Sequence, residues 1–341
     1  MLEMRVCEDQ DAWNSYVSQH PWSTQYHRYE WLTIIAKSFH HRICPLAAME
    51  GGRICGVFPL VHMQSRLFGN VAVSLPFVNY GGILGDNESI RAGLWGEGVR
   101  LAESWGATSL ESREFSASSS ANYTKAHKVT MVLSLAPSIE AQWAAFDAKL
   151  RNQIRKAERS GLTVRVGGLP DVGSFYEVFA RNMRDLGTPV YGRGFFEEVL
   201  ERLPGIAQIY SVCLDEVVIG ACVALDSGST VEVPWASSLR EHRSLCPNNL
   251  MYWAVIQAAI KAGRASVDFG RSTVGEGTYK FKAQWGAQPI PLYWNYWLKD
   301  PGRVPNVTTA NPKYRLAIAA WKQLPVWATK LVGPAIVRNI P

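Results

Sequence analysis

One order of elements occurs twice along this chain, and that repetition limits the possible folds more than any single motif does. Residues 43–49 and 53–62 are apolar, β-rich runs joined by Glu50-Gly51-Gly52, a hairpin signal. Residues 71–75 read as the next strand and residues 79–86 as a glycine-rich loop. A helix over about 89–105 stops at Gly106, a common terminator, and a strand follows at 109–113. The order then returns: strands at 207–213, 217–225 and 230–236, a polar loop, a helix over about 250–262 stopping at Gly263, and a strand at 267–269. The two helix-to-strand joins, GATSLE from Gly106 and GRASVD from Gly263, superimpose at a constant offset of 157 residues. Such a period is far too long for a solenoid, so the chain reads as two copies of one domain. The expectation is an α/β (α+β) protein with two mixed sheets flanked by helices, over 1–135 and 136–298, and a tail over 299–341.

At 341 residues and 47% apolar content, each half can bury a core of its own. Between the copies, Trp143, Phe146, Leu150, Ile154 and Ala157 mark the apolar face of a helix over 142–160, and 175–186 and 195–203 also read as helical. The net charge of +6 resides in the tail, where Lys299, Arg303, Lys313, Arg315, Lys322, Lys330 and Arg338 face one acid, Asp300. The body is neutral, and duplex DNA is not an expected partner. The six cysteines form no CxxC pair and read as reduced, buried thiols. The seven histidines lack metal-ligand spacing, so no metal site is expected. There is no GxSxG elbow or P-loop. No signal peptide and no apolar run of about 20 residues are seen, so the expected location is cytoplasmic.

Chemistry concentrates in DFGRSTVGEGTYKFKAQWGAQP, residues 268–289, which follows a strand and packs Arg271, Tyr279, Lys280, Lys282 and Trp285 among glycines. Alone, Lys282 reads as a surface lysine and Trp285 as core. Their company beside a glycine-rich loop makes a site the competing reading. Asn79 and Tyr80 precede Gly81-Gly82, either a plain turn or a substrate contact in a cleft between the halves. Arg151 and Arg155 recur on the polar side of their helix, either a solvated face or a phosphate-binding stripe. In the tail, Tyr314, Ala317, Ile318, Trp321 and Leu324 share one side of a helix beginning near 312, with Pro325 and Pro334 as breaks. That helix either docks on the body or lies on an anionic membrane at its inner face.

The second copy resembles an acyl-CoA N-acyltransferase (GNAT) unit, in which two strands splay apart and backbone N–H groups meet the reacting carbonyl. The resemblance places those groups near Glu232 to Trp235. Where the acetyl-CoA pattern has a glycine phosphate loop, this chain has RSLCPNN (243–249), with no glycine and with Pro247 lacking a donor. The run FKAQWG from Phe281 resembles the signature of the FemAB peptidyltransferases. SRLFGNVAVSLPFVNYGG (65–82), LRNQIRKAERSG (150–161) and NMRDLGTP (182–189) are similar to the FemAB branch found beside exopolysaccharide and XrtA/PEP-CTERM sorting systems. This resemblance covers roughly the whole chain and implies tandem GNAT-like domains. It also implies transfer of an acyl or aminoacyl group to an amine of an envelope or exopolysaccharide precursor, small or lipid-linked. The donor would be aminoacyl-tRNA or acyl-CoA, with no bound cofactor. Carried over, Lys282 stands beside the reacting ester to steady its oxyanion, with Asp268 and Glu232 as candidate bases by position. Arg271, Tyr279, Lys280, Trp285, Trp235, Asn79, Tyr80, Arg151 and Arg155 are the candidate substrate contacts. A non-catalytic scaffold holding a glycan or lipid-linked precursor is the alternative.

Overall fold

The computed structural model describes residues 2–65, 68–302 and 315–340. They divide into two compact units. Unit 1 comprises Met1–Lys128, Pro291–Val307 and Arg338–Pro341; unit 2 comprises Val129–Ile290 and Thr308–Val337.

Unit 1 opens with β1 (Leu2–Val6), α1 (Gln10–Gln19) and α2 (Tyr29–Phe39). β2 (Arg42–Glu50) and β3 (Arg53–Ser65) form the expected hairpin, and Gly51 and Gly52 both take the positive φ its turn requires. β4 (Gly69–Ser74), the short β5 (Leu84–Gly85), α3 (Glu88–Ser104) and β6 (Ser109–Glu114) follow. Strands β1 to β4 pair antiparallel in sequence order, while β4 and β6 pair in parallel across the α3 crossover. Asn87 starts α3 by accepting the Ile90 N–H, and Ile90, Leu94, Trp95 and Ala102 bury its inner face against Leu46, Phe58 and Leu60.

β7 (Tyr123–Ser134) carries the chain into unit 2. There follow α4 (Ile139–Ala145), α5 (Ala148–Arg159), β8 (Leu162–Gly167), α6 (Val172–Leu186), α7 (Arg193–Arg202), β9 (Ala207–Leu214), β10 (Val217–Asp226), β11 (Thr230–Ser238), α8 (Pro247–Lys261), β12 (Ser266–Ser272) and α9 (Gly277–Ala283). β13 (Gln288–Leu298) returns to unit 1, where Tyr293 to Leu298 pair antiparallel with β6. The order in unit 2 is β7-β12-β11-β10-β9-β8, with β11 and β12 parallel across the α8 crossover and the other pairs antiparallel. Both units thus contain a parallel strand pair bridged by a helix, as the repeated order demands. Unit 2 builds its core from Leu150, Ile154, Val212, Ile219, Val255, Ile256, Phe269 and Trp285.

Three sequence expectations need correction. The helix expected over 142–160 is two helices. Phe146 is extended, and Asp147 restarts the helix by accepting the Leu150 N–H at 2.6 Å. The apolar spacing ran across this break because Phe146 is buried against Trp253 and Trp285. Helix α8 begins at Pro247, since proline suits the first helical position. In the tail, residues 303–314, with Lys313 and Tyr314, lie outside the described residues. Beyond them Pro325 separates α10 (Arg315–Gln323) from α11 (Val326–Val337), but Pro334 lies inside α11.

The tail helices dock on unit 2 through the NMRDLGTP string. Gly187 ends α6 at φ +80°, and a Cβ there would meet Ile318 of α10 at 2.5 Å. The Arg184 guanidinium donates to the Leu324 carbonyl at 3.0 Å. At Gly333 a Cβ would stand 3.0 Å from the Val190 backbone, so a glycine lets α11 approach. Lys330 pairs with Glu177 and stands over the Tyr176 ring.

Candidate active site

The parallel ladder of β11 and β12 has three rungs: Thr230–Ser266, Val231–Val267 and Glu232–Asp268. Beyond the last rung β11 runs on beside β10 to Ser238, and β12 runs on beside β7 to Ser272. The strands therefore part after Glu232 and Asp268, and an irregularity follows each of these residues. In β11 the register against β10 slips between Glu232 and Trp235, where Pro234 has no N–H to give. In β12 it slips against β7 between Asp268 and Arg271, around Gly270 at φ +74°.

Partners across a parallel rung share a face, so the Glu232 and Asp268 carboxylates project from one side of the sheet. Both are buried. One Asp268 oxygen accepts the Thr130 hydroxyl at 2.5 Å and the Gly270 N–H at 2.7 Å, which fixes the bulge. The bulge in turn presents two carbonyls to Lys282 of α9, whose ammonium donates to Gly270 O at 2.8 Å and Arg271 O at 3.0 Å. Lys282 is 8% exposed. Burial pushes its pKa down from 10.5 to about 8; Asp268 and Glu232 pull it up, and Arg271 pushes it further down. A lysine, two carboxylates and a carbonyl pair thus converge where two strands separate.

Of the other candidates, Arg271 and Lys280 are exposed, and Tyr279 is half-buried against the core. Trp285 lies in the core, with its ring centroid 5.4 Å from Phe146 and 5.9 Å from Phe269. Trp235 is buried edge-on against Phe195 and Phe196 of α7, at 5.3 and 5.4 Å. On α5, Arg151 is half-buried and Arg155 stands over Trp143 at 5.3 Å. Asn79 and Tyr80 belong to unit 1; both are buried, and Tyr80 meets Tyr26 at 5.2 Å and Phe115 at 4.7 Å. Thr130 and Gly270 were missed as parts of the site. Both act through strand register, which local sequence does not reveal, although a glycine closing the strand after Asp268 was a usable hint.

A coenzyme A pyrophosphate would be held at the N-terminus of α8. There Cys246 is left-handed, Pro247 offers no donor, and the Asn249 N–H is already bonded to Cys246 O at 3.1 Å. This end does not fit the usual phosphate cradle. Among the described residues, no group of three or more His, Cys, Asp or Glu is placed to hold a metal ion.

The divergent strand pair, helix crossover and following helix coincide with a sequence match to the acetyltransferase (GNAT) domain family over residues 144–283. This segment has a GNAT-type fold. No curated protein matches the chain. Among solved structures, the chain is similar to FemX, with a TM-score of 0.67 at 15% identity over 93% of this chain and 100% of that one. It is also similar to a tandem GNAT protein from the clavulanic acid biosynthesis pathway, with a TM-score of 0.55 at 13% identity over 89% and 100%. A third likeness is to the C-terminal domain of a putative lysylphosphatidylglycerol synthetase from Agrobacterium fabrum, with a TM-score of 0.57 at 13% identity over 86% and 92%. At these identities the likeness is one of fold, and it places the matched segment within a tandem GNAT-like architecture.

Proposed function

We propose that the protein transfers an acyl or aminoacyl group to an amine of a cell-envelope or exopolysaccharide precursor. The observation that carries this reading is the buried Lys282 ammonium, held on two carbonyls beside the β11–β12 fork of a GNAT-type fold. The amine nitrogen attacks the donor carbonyl, the carbonyl oxygen gains negative charge, and the bond to the leaving oxygen or sulfur breaks as that atom takes a proton. A cation already desolvated and fixed beside the oxyanion stabilises this state without reorganising, an effect of about 3–4 kcal/mol for one well-placed donor.

The acceptor must also shed a proton. Glu232 and Asp268 lie beside Lys282, and Asp268 is already tied to Thr130 and Gly270. Asp268 therefore suits a positioning role, and Glu232, buried on the same face of the sheet, is a candidate base. The missing phosphate cradle at α8 favours aminoacyl-tRNA over acyl-CoA as the donor. FemX and the lysylphosphatidylglycerol synthetase domain share this architecture, and lysylphosphatidylglycerol is an aminoacylated membrane lipid. The same strings that resemble the FemAB proteins suggest the branch associated with XrtA/PEP-CTERM systems.

The reading is tested by mass spectrometry of envelope glycans from a deletion strain complemented with wild type or Lys282→Ala. A missing acyl or aminoacyl mass restored by wild type alone is the expected result. Restoration by both proteins would remove Lys282 from the mechanism.

A further inference from the structure

The docked tail presents two opposite faces. Along α11, Thr329, Gly333 and Val337 repeat every four residues and are buried. At about 100° per residue, Trp327, Leu331 and Ala335 lie on the other side of the same helix. All three are exposed, Trp327 at 70% and Leu331 at 73%. Val332 beside them is 45% exposed, and Leu316 of α10 is 86% exposed. A docked helix that turns a tryptophan and two aliphatic side chains to water has a second surface left to cover.

The charge around this face selects its occupant. From Pro301 to the C-terminus the sequence contains no Asp or Glu. Arg315 and Lys322 are exposed on the flank of α10 nearer Ile318, and Lys322 lays its stem along Gly187. Lys330 spends its charge on Glu177, so it belongs to the inner contact. No helix among the described residues is long and apolar enough to cross a membrane. An exposed apolar strip with a tryptophan, on a tail that carries cations and no acid of its own, matches an anionic lipid surface: apolar side chains enter the acyl boundary and the tail's cations face headgroup phosphates.

We infer that the outward face of α10 and α11 docks the protein on an anionic lipid bilayer. The inference is independent of the acyl-transfer reading, since it uses none of the fork residues.

Sedimentation of the full chain with vesicles of phosphatidylcholine, with or without phosphatidylglycerol, tests it. Wild type is expected to bind the anionic vesicles at least tenfold better than the neutral ones, and raised salt should weaken that binding. The double variant Trp327→Ser with Leu331→Ser should lose at least tenfold in binding and keep its melting temperature, because both side chains already face water. Arg315→Glu should lose about fivefold in anionic binding without touching the apolar strip or the Gly187 contact. Equal binding to neutral vesicles, or anionic binding unchanged in the apolar double variant, would overturn the inference. A lipid-free dimer abolished by that same variant would also overturn it, by showing a second copy on this face.

Discussion

The two units handle the same structural junction in opposite ways. In unit 1 the parallel β4–β6 ladder ends at Val73–Glu111, and Glu111 occupies the place that Asp268 takes in unit 2, as the 157-residue offset indicates. Glu111 accepts from the Arg113 guanidinium at 2.6 Å, and both are buried. Arg113 also donates to Val78 O at 3.1 Å and stands over Trp294 at 4.7 Å, while Glu114 pairs with Arg91 and Ser112. Next to this junction the chain turns back through Leu75 and Phe77, both at positive φ, and lays Gly81-Gly82 against β6; the Gly81 N–H bonds Arg113 O at 3.3 Å. A Cβ on Gly82 would run into the Glu114 side chain and stand 3.0 Å from Arg113 O. Unit 1 thus closes its junction with a charge pair and a loop. Unit 2 lets β11 continue, bulges both strands, and sets a titratable amine on backbone carbonyls. An arginine holds its charge at any ordinary pH, so it suits structure; a lysine brought to about 8 can gain or lose its charge in the working range.

The largest expected effect breaks the closed junction. Arg113→Met leaves Glu111 buried without its partner and should cost about 3–5 kcal/mol in denaturant unfolding. Lys282→Met should cost less, because Asp268 keeps its bonds from the Thr130 hydroxyl and the Gly270 N–H. The variant forfeits two hydrogen bonds worth about 1 kcal/mol each, but removes a buried charge whose lowered pKa marks a penalty of comparable order. Equal losses in the two variants would erase the distinction between the units. Next in size, Lys282→Ala should lower kcat about 10²–10³-fold under single-turnover conditions, as expected for losing one oxyanion donor. A variant within twofold of wild type would make unit 2's cation as structural as that of unit 1. Smallest, Gly82→Ala should destabilise by about 1–3 kcal/mol through overpacking, read as a lower melting temperature. A neutral outcome would mean that the loop is not wedged against β6.

Much of the element order was readable beforehand. The glycines that end α3 and α8, the Gly-Gly hairpin and the apolar strand runs encode local conformation, and the elements formed where those signals lie. Lys282 was singled out through the family resemblance and Asp268 and Glu232 by strand position, while their convergence is a product of the β11–β12 ladder. Less accessible were features fixed by register: the Thr130 contact, the Gly270 bulge and the antiparallel pairing of β13 with β6. α9 lay within a stretch read as glycine-rich turn, since its seven residues carry too little periodicity to declare a helix. The buried face of α11 uses Thr329 and Gly333, small residues whose value lies in close approach, which hydropathy does not reveal.

The pH dependence of turnover, measured beside the pH dependence of stability, tests the central claim most directly. The folded pKa of Lys282 lies near 8 and its unfolded value near 10.5, so the unfolded chain binds the extra proton between those limits. Stability from this group is therefore absent below about 8 and gained as pH rises toward 10.5. The ammonium that steadies the oxyanion is lost over the same rise. The account predicts a falling rate limb near pH 8 in wild type while resistance to denaturant increases, and no such limb in Lys282→Arg if that variant turns over. A rate that stays flat through pH 8, or the same limb in the arginine variant, would contradict it.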